Sequence, residues 1–207
     1  MKKITSKSLV AVALVAAMGI SLPAVAFADS STTTTNTSVT SNTTAVTSAW
    51  HSFHLAWKAY VDGLKSINAS YRSSVDSARS AYFLAKSTAT TPAERQAALA
   101  AFDAALAAAL NVRVTAITAA GDPPAPPAGY NGTVWVQGVQ AANVAFRASA
   151  VAAQSAFATA IASATTSWER HSARLTLELA LGNALVVRST ALEALGQPPT
   201  NPGQPSA

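Results

Sequence analysis

The chain has 207 residues, half of them hydrophobic, with a formal net charge of +5, no cysteine and two methionines. Without cysteine there is no disulfide framework, thiol nucleophile or thiolate metal site. Charge gives little case for nucleic acid either: Lys2, Lys3 and Lys7 sit in a leader-like segment, and without these three the +5 falls to +2.

Residues 1–28 read as a signal peptide. The three lysines form its basic head, Leu9 to Ile20 its apolar stretch, and Ala26-Phe27-Ala28 a small-x-small cleavage site after Pro23. The apolar run is short for a membrane span, so export with cleavage near Ala28 is expected, placing the mature chain outside the cytoplasm, secreted or on the cell surface. Both methionines, Met1 and Met18, would leave with the leader. Residues 29–45 are almost entirely Ser, Thr and Asn and read as a disordered spacer.

From there the chain is periodic. Helices are expected over roughly 47–89, 92–120, 134–165 and 167–195. In the first, Tyr60, Leu64, Ile67, Tyr71, Val75, Ala78 and Tyr82 recur at steps of three and four, the stripe of a core-facing helix. Its tyrosines, like Trp135, Phe146 and Phe157 later, are spaced by eleven residues, almost three whole turns. Many of the apolar residues are alanine, which favours helix but buries little area, so coiled-coil-like packing must rest on the aromatic and leucine positions.

The helices form a tandem repeat. Thr90-Thr91-Pro92-Ala93-Glu94-Arg95 returns as Thr165-Thr166-Ser167-Trp168-Glu169-Arg170. In each copy a threonine (Thr91, Thr166) stands three residues before a glutamate (Glu94, Glu169), the spacing of a capping box at a helix start. The match runs outward without a gap: Asn68 and Arg72 onto Asn143 and Arg147, Arg113 onto Arg188, and Gly121-Asp122-Pro123-Pro124 onto Gly196-Gln197-Pro198-Pro199. Glycine followed closely by proline is a helix stop. The domain reading is one αα-hairpin over 46–121, a Pro/Gly-rich linker over 122–133, a second hairpin over 134–196, and a disordered tail over 197–207. The fold class is all-α, two tandem αα-hairpins forming a four-helix bundle or a short elongated stack.

Reversal of the chain at the turns places Asn68 level with Arg113 and Asn143 level with Arg188. The same register sets Arg79 against Asp103 and Gln154 against Glu178. All four are expected as polar cross-links within a hairpin.

Two stretches are candidate binding surfaces. Trp50, His51, Phe53, His54 and Trp57 overhang the repeat by about twelve residues, or about 18 Å of helix. They suit contact with a glycan, peptide or partner helix, or else they pack beneath the Pro-rich loop and tail. His51 and His54 lie one turn apart, but two imidazoles do not close a metal site and no third ligand is near, so no metal is expected. The second surface is basic: Lys58, Lys65, Arg72, Arg79 and Lys86 recur every seven residues, suited to an extended anionic partner or to a solvated helix face. No phosphate loop, metalloprotease helix, nucleophile elbow or glycosidase carboxylate pair is legible, so no catalytic residue and no cofactor is expected.

The run Ile67-Asn68-Ala69-Ser70-Tyr71-Arg72, the Thr90–Arg95 turn and the Gly121/Pro123 ending resemble alanine-rich, exported helical repeat proteins of high-GC Gram-positive bacteria, a group without an assigned activity. Ser167-Trp168 departs from the pattern of Pro92-Ala93. The resemblance implies export and a helical fold and supplies no site. The functional expectation is an exported, non-catalytic helical scaffold or adhesion module at the cell envelope, with its contacts through the 50–57 overhang. The alternative is electrostatic attachment to anionic envelope polymer or a membrane surface through the basic stripe. The partner would be an envelope polymer, glycan or protein; nucleic acid and a transmembrane span in the mature chain are not expected.

Overall fold

The computed structural model describes residues 37–200, and the chain is all-α. Among the described residues four helices follow in order: α1 (Thr37–Thr88), α2 (Pro92–Ala119), α3 (Thr133–Ser163) and α4 (Ser167–Ala194). The signal segment 1–28, the first part of the spacer and most of the tail lie outside the described residues. α1 starts ten residues earlier than the periodicity suggests, so 37–45, expected as spacer, is helical. Extending an existing helix costs far less than nucleating one, and a Ser/Thr-rich run can continue a helix that it could not start.

Each hairpin turn is built by its capping box. The Glu94 backbone N–H donates to Thr91 Oγ1 at 3.2 Å, while the Thr90 and Thr91 N–H groups donate to Glu94 Oε2 at 2.6 and 2.9 Å. The second turn repeats this: Glu169 N–H to Thr166 Oγ1 at 3.1 Å, and Thr165 and Thr166 N–H to Glu169 Oε2 at 2.7 and 2.8 Å. These donors hold both carboxyls below the usual range. For Glu169 the Thr166 amide contributes most, then that of Thr165, and the value falls to about 2; for Glu94 the order is Thr91, then Thr90. Both hairpins also end alike, on Gly121 and Gly196 at φ 67°. Only glycine adopts that left-handed conformation cheaply, and there it closes the last helical turn.

The chain divides into two compact units. The first comprises Gly63–Gly121 and Arg147–Leu185 and so takes segments from all four helices. Its core is Tyr71 and Val75 of α1, Leu106, Leu110 and Ile117 of α2, Phe157 and Ile161 of α3, and Leu177 and Leu181 of α4. Interleaved alanines (Ala98, Ala107, Ala158, Ala173) let the backbones approach, while the large side chains supply most of the buried area. The second unit comprises the described residues 37–62, 122–146 and 186–200. Its core is Trp50, Phe53, Trp57 and Val136, with Val61, Tyr130 and Trp135 packed against it.

Polar cross-links run through both. In the first unit Arg113 Nε donates to Asn68 Oδ1 at 3.0 Å; in the second, Arg188 Nε donates to Asn143 Oδ1 at 2.6 Å. Each guanidinium also lies over an aromatic ring at matching repeat positions, Arg113 over Tyr71 at 5.5 Å and Arg188 over Phe146 at 5.9 Å. The other two expected pairs are not made. Arg79 reaches along its own helix to Asp76. Asp103 is instead paired with Arg170 at 2.5 Å, and Gln154 accepts from Arg113 Nη1. The register within each hairpin is as read. What overrides it is burial: Asp103 and Gln154 turn inward and need a donor from the other hairpin, whereas Glu178 stays in water.

Candidate functional site

In the 50–57 segment the three large aromatics are core rather than surface. Trp50, Phe53 and Trp57 occupy i, i+3 and i+7 of α1 and are 7%, 6% and 8% exposed. Trp50 meets Phe53 edge-on at 5.3 Å and Tyr130 at 5.7 Å, so the Pro-rich loop supplies part of the cover. This corrects their assignment as a contact patch. Three large aromatics at helical spacing gain more by burial than by waiting for a ligand. His51 is exposed, and His54 is partly buried beside Trp50 and Phe53, ring centroids 5.8 and 5.7 Å away. Desolvation, followed by repulsion from His51, lowers the His54 pKa. Among the described residues no three His, Asp or Glu side chains converge as metal ligands.

The basic row has a different character. Lys58, Lys65, Arg72 and Lys86 are exposed and Arg79 is half-buried. In the second unit Lys58 pairs with Asp62 at 2.6 Å, one helical turn on, a hydrogen bond and attraction that raise its pKa. In the first unit α1 carries Lys65, Arg72, Arg79 and Lys86 against a single acid, Asp76. Lys86 lies 5.6 Å from the Tyr82 ring.

The repeat explains what kind of face this is. The matching positions in α3 are Thr133, Gln140, Arg147, Gln154 and Ile161, and all but Arg147 are buried. Thr133 and Gln140 donate to the carbonyls of Pro127 and Pro124; Gln154 accepts from Arg113; Ile161 is 1% exposed. A face that packs in the second hairpin is therefore open and cationic in the first. Repeat proteins commonly carry a polar face on a terminal repeat, where there is no neighbour to cover it.

Two other features are exposed. On α4, Trp168, Leu175 and Leu179 face outward, and Trp168 borders a groove of about 560 Å³ against α3, lined largely by alanine. In the second unit a groove of about 440 Å³ is bordered by Tyr130, Asn131, Val134, Trp135, Leu195, Gln197 and Pro199. Sequence reading missed both. The outward residues of α4 were detectable, because their counterparts in α2 are Ala93, Ala100 and Ala104. The second groove was not, since it is assembled from a loop, a helix start and a tail.

By length and composition α2, α3 and α4 could each cross a membrane. Much of that hydropathy is alanine, and α4 also holds Glu169, Arg170, Arg174, Glu178, Arg188 and Glu193, a costly set for a lipid interior. No family model matches the chain, and no curated protein or solved structure shows significant similarity to it.

Proposed function

We propose that the protein is an exported, non-catalytic helical scaffold of the cell envelope, attached by charge to an anionic polymer or anionic membrane surface. The attachment runs through Lys65, Arg72 and Lys86 of α1. The observation that carries this reading is the repeat comparison: where α3 buries Gln140, Gln154 and Ile161, α1 exposes Lys65 and Lys86 and half-exposes Arg79. A plain polar cap would be satisfied by balanced charge, yet this face carries five cations to two acids, Asp62 and Asp76. The leader-like segment 1–28 and the resemblance to exported helical proteins support the compartment. With the 50–57 aromatics buried, the charged face leads and the aromatic contact falls away.

The test is co-sedimentation with separated wall and membrane fractions at 0.1 M and 1 M salt, over which the screening length falls from about 10 Å to about 3 Å. Binding should be lost at high salt, and a Lys65→Gln/Arg72→Gln/Lys86→Gln variant should fail to bind at low salt. Salt-resistant binding, or binding unchanged in the triple variant, overturns the reading.

A further inference from the structure

The start of α3 and the loop before it present four side-chain donors to backbone carbonyls of Pro-rich segments. Gln140 Nε2 donates to Pro124 O at 2.9 Å and Thr133 Oγ1 to Pro127 O at 2.8 Å. Asn131 Nδ2 donates to Thr200 O at 2.8 Å, and Trp135 Nε1 makes a longer bond of 3.4 Å to Gly196 O. A proline-rich strand has few N–H groups to offer but a regular row of outward carbonyls. It is recognised by aromatic walls that take its rings and by side-chain N–H or O–H groups that take its carbonyls.

The four contacts are of two kinds. Those from Thr133 and Gln140 are made by buried side chains and belong to the folded loop. Those from Asn131 and Trp135 are solvent-exposed and hold the chain's own segment 196–200, whose Gln197 and Pro199 form one wall of the 440 Å³ groove opposite Tyr130 and Trp135. Water can replace an exposed hydrogen bond at small net cost, so this segment is exchangeable where the loop is not.

We infer that the face formed by Tyr130, Asn131 and Trp135, covered by the chain's own Pro198–Thr200, is a recognition site for extended proline-rich peptide, which a proline-rich segment of a partner protein reaches by displacing that cover. This site is separate from the cationic face of α1. It takes an uncharged ligand, so its binding is insensitive to salt.

The probe is a synthetic peptide copying residues 196–207, titrated into the full chain with Trp fluorescence or NMR as readout. A Pro198→Ala/Pro199→Ala variant loosens the resident segment and should bind the peptide about tenfold more tightly than the unaltered chain. In that background Asn131→Ala or Trp135→Phe, which removes the indole N–H and keeps a ring, should weaken binding by about five- to tenfold, each having lost one hydrogen bond. Far-UV circular dichroism checks that each variant remains helical. No binding by the loosened variant overturns the inference. So does equal binding of a peptide with every proline replaced by alanine, or binding unchanged by both Asn131→Ala and Trp135→Phe.

Discussion

The buried pair Asp103–Arg170 gives the sharpest test of how the first unit is held together. Its side chains are 3% and 10% exposed, Arg170 Nε lies 2.5 Å from Asp103 Oδ2, and Arg170 Nη2 also donates to Ala164 O at 3.1 Å. Asp103 Oδ1 is buried without a hydrogen-bond partner. Replacing Asp103 with Leu strands a guanidinium, and replacing Arg170 with Met strands a carboxylate. Either should cost about 3–5 kcal/mol, because the surviving charge has lost its water and its opposite charge. For a chain of this size each kcal/mol moves the midpoint by roughly 2–4 °C, so the expected fall is roughly 6–20 °C. The double variant Asp103→Leu/Arg170→Met leaves no stranded charge and already carries one unsatisfied oxygen fewer. It should recover most of the loss, with a coupling energy of about 2 kcal/mol or more in the double-mutant cycle. Repeat symmetry supplies the control: Arg95 and Glu178, the counterparts, are both exposed, and Glu178→Leu should shift stability by no more than about 0.5 kcal/mol. Thermal and urea unfolding followed by circular dichroism reads all four. Additive losses in the double variant, or single losses below about 1 kcal/mol, would refute the assignment of this pair as a buried brace.

Other outcomes follow from particular contacts. A Cβ on Gly138 would lie 2.4 Å from Leu195 Cδ2, whereas one on the matching Gly63 meets nothing within 4 Å. In urea unfolding Gly63→Ala should stabilise by about 0.5–1 kcal/mol through helix propensity, while Gly138→Ala should gain less than Gly63→Ala, because the Leu195 side chain must shift to admit the methyl group. Trp57→Ala should cost about 3–5 kcal/mol and lower the thermal midpoint, as expected of a core aromatic and not of a surface contact. The carboxyl of Glu169, about 2 when folded against 4.5 ordinarily, is the depressed case: its stabilising contribution is present above about 4.5 and lost as the pH falls towards 2. A Glu169→Gln variant should show a flatter thermal midpoint over that window, and an unchanged slope would contradict the capping assignment. His54 has the same sign at higher pH, since its folded pKa lies below 6.5: stability is full above 6.5 and declines below it, and His54→Gln should remove that decline.

Much of the fold was legible because the sequence states it twice. The turns, the Gly121 and Gly196 endings and the Asn68–Arg113 and Asn143–Arg188 links are set by local chemistry and by distance from a turn, both of which a sequence displays. The partners of Asp103 and Gln154 were not legible. They lie on the other hairpin, and nothing in the spacing of one hairpin says which of its polar residues will be covered by the next. The early start of α1 was hidden for a related reason: Ser and Thr are poor helix formers, and propensity says nothing of the ordered helix they extend.

The candidate surfaces follow the same division. An aromatic row such as Trp50, Phe53 and Trp57 reads identically whether it faces a ligand or a loop, and the positions of Val136, Trp135 and Tyr130 decide between them. A cationic row is less ambiguous, because a lysine or arginine at five successive heptad positions cannot all be buried without partners, and α1 has too few acids to supply them. What the folded chain adds is the contrast with α3. Position by position, Thr133, Gln140, Gln154 and Ile161 lie against protein, and Lys58, Lys65, Arg79 and Lys86 stand where that protein would be. Duplication alone would have left two sticky faces of the same kind, free to pack copy upon copy. Charge on one of them disfavours such stacking, since a lysine ammonium pressed against Pro-loop carbonyls and an apolar helix must lose its water for little return. The same substitution leaves a cationic strip along a helix. On the proposed reading, disfavouring self-stacking and attracting an anion are two results of one change, and the salt dependence of envelope binding tests the second of them.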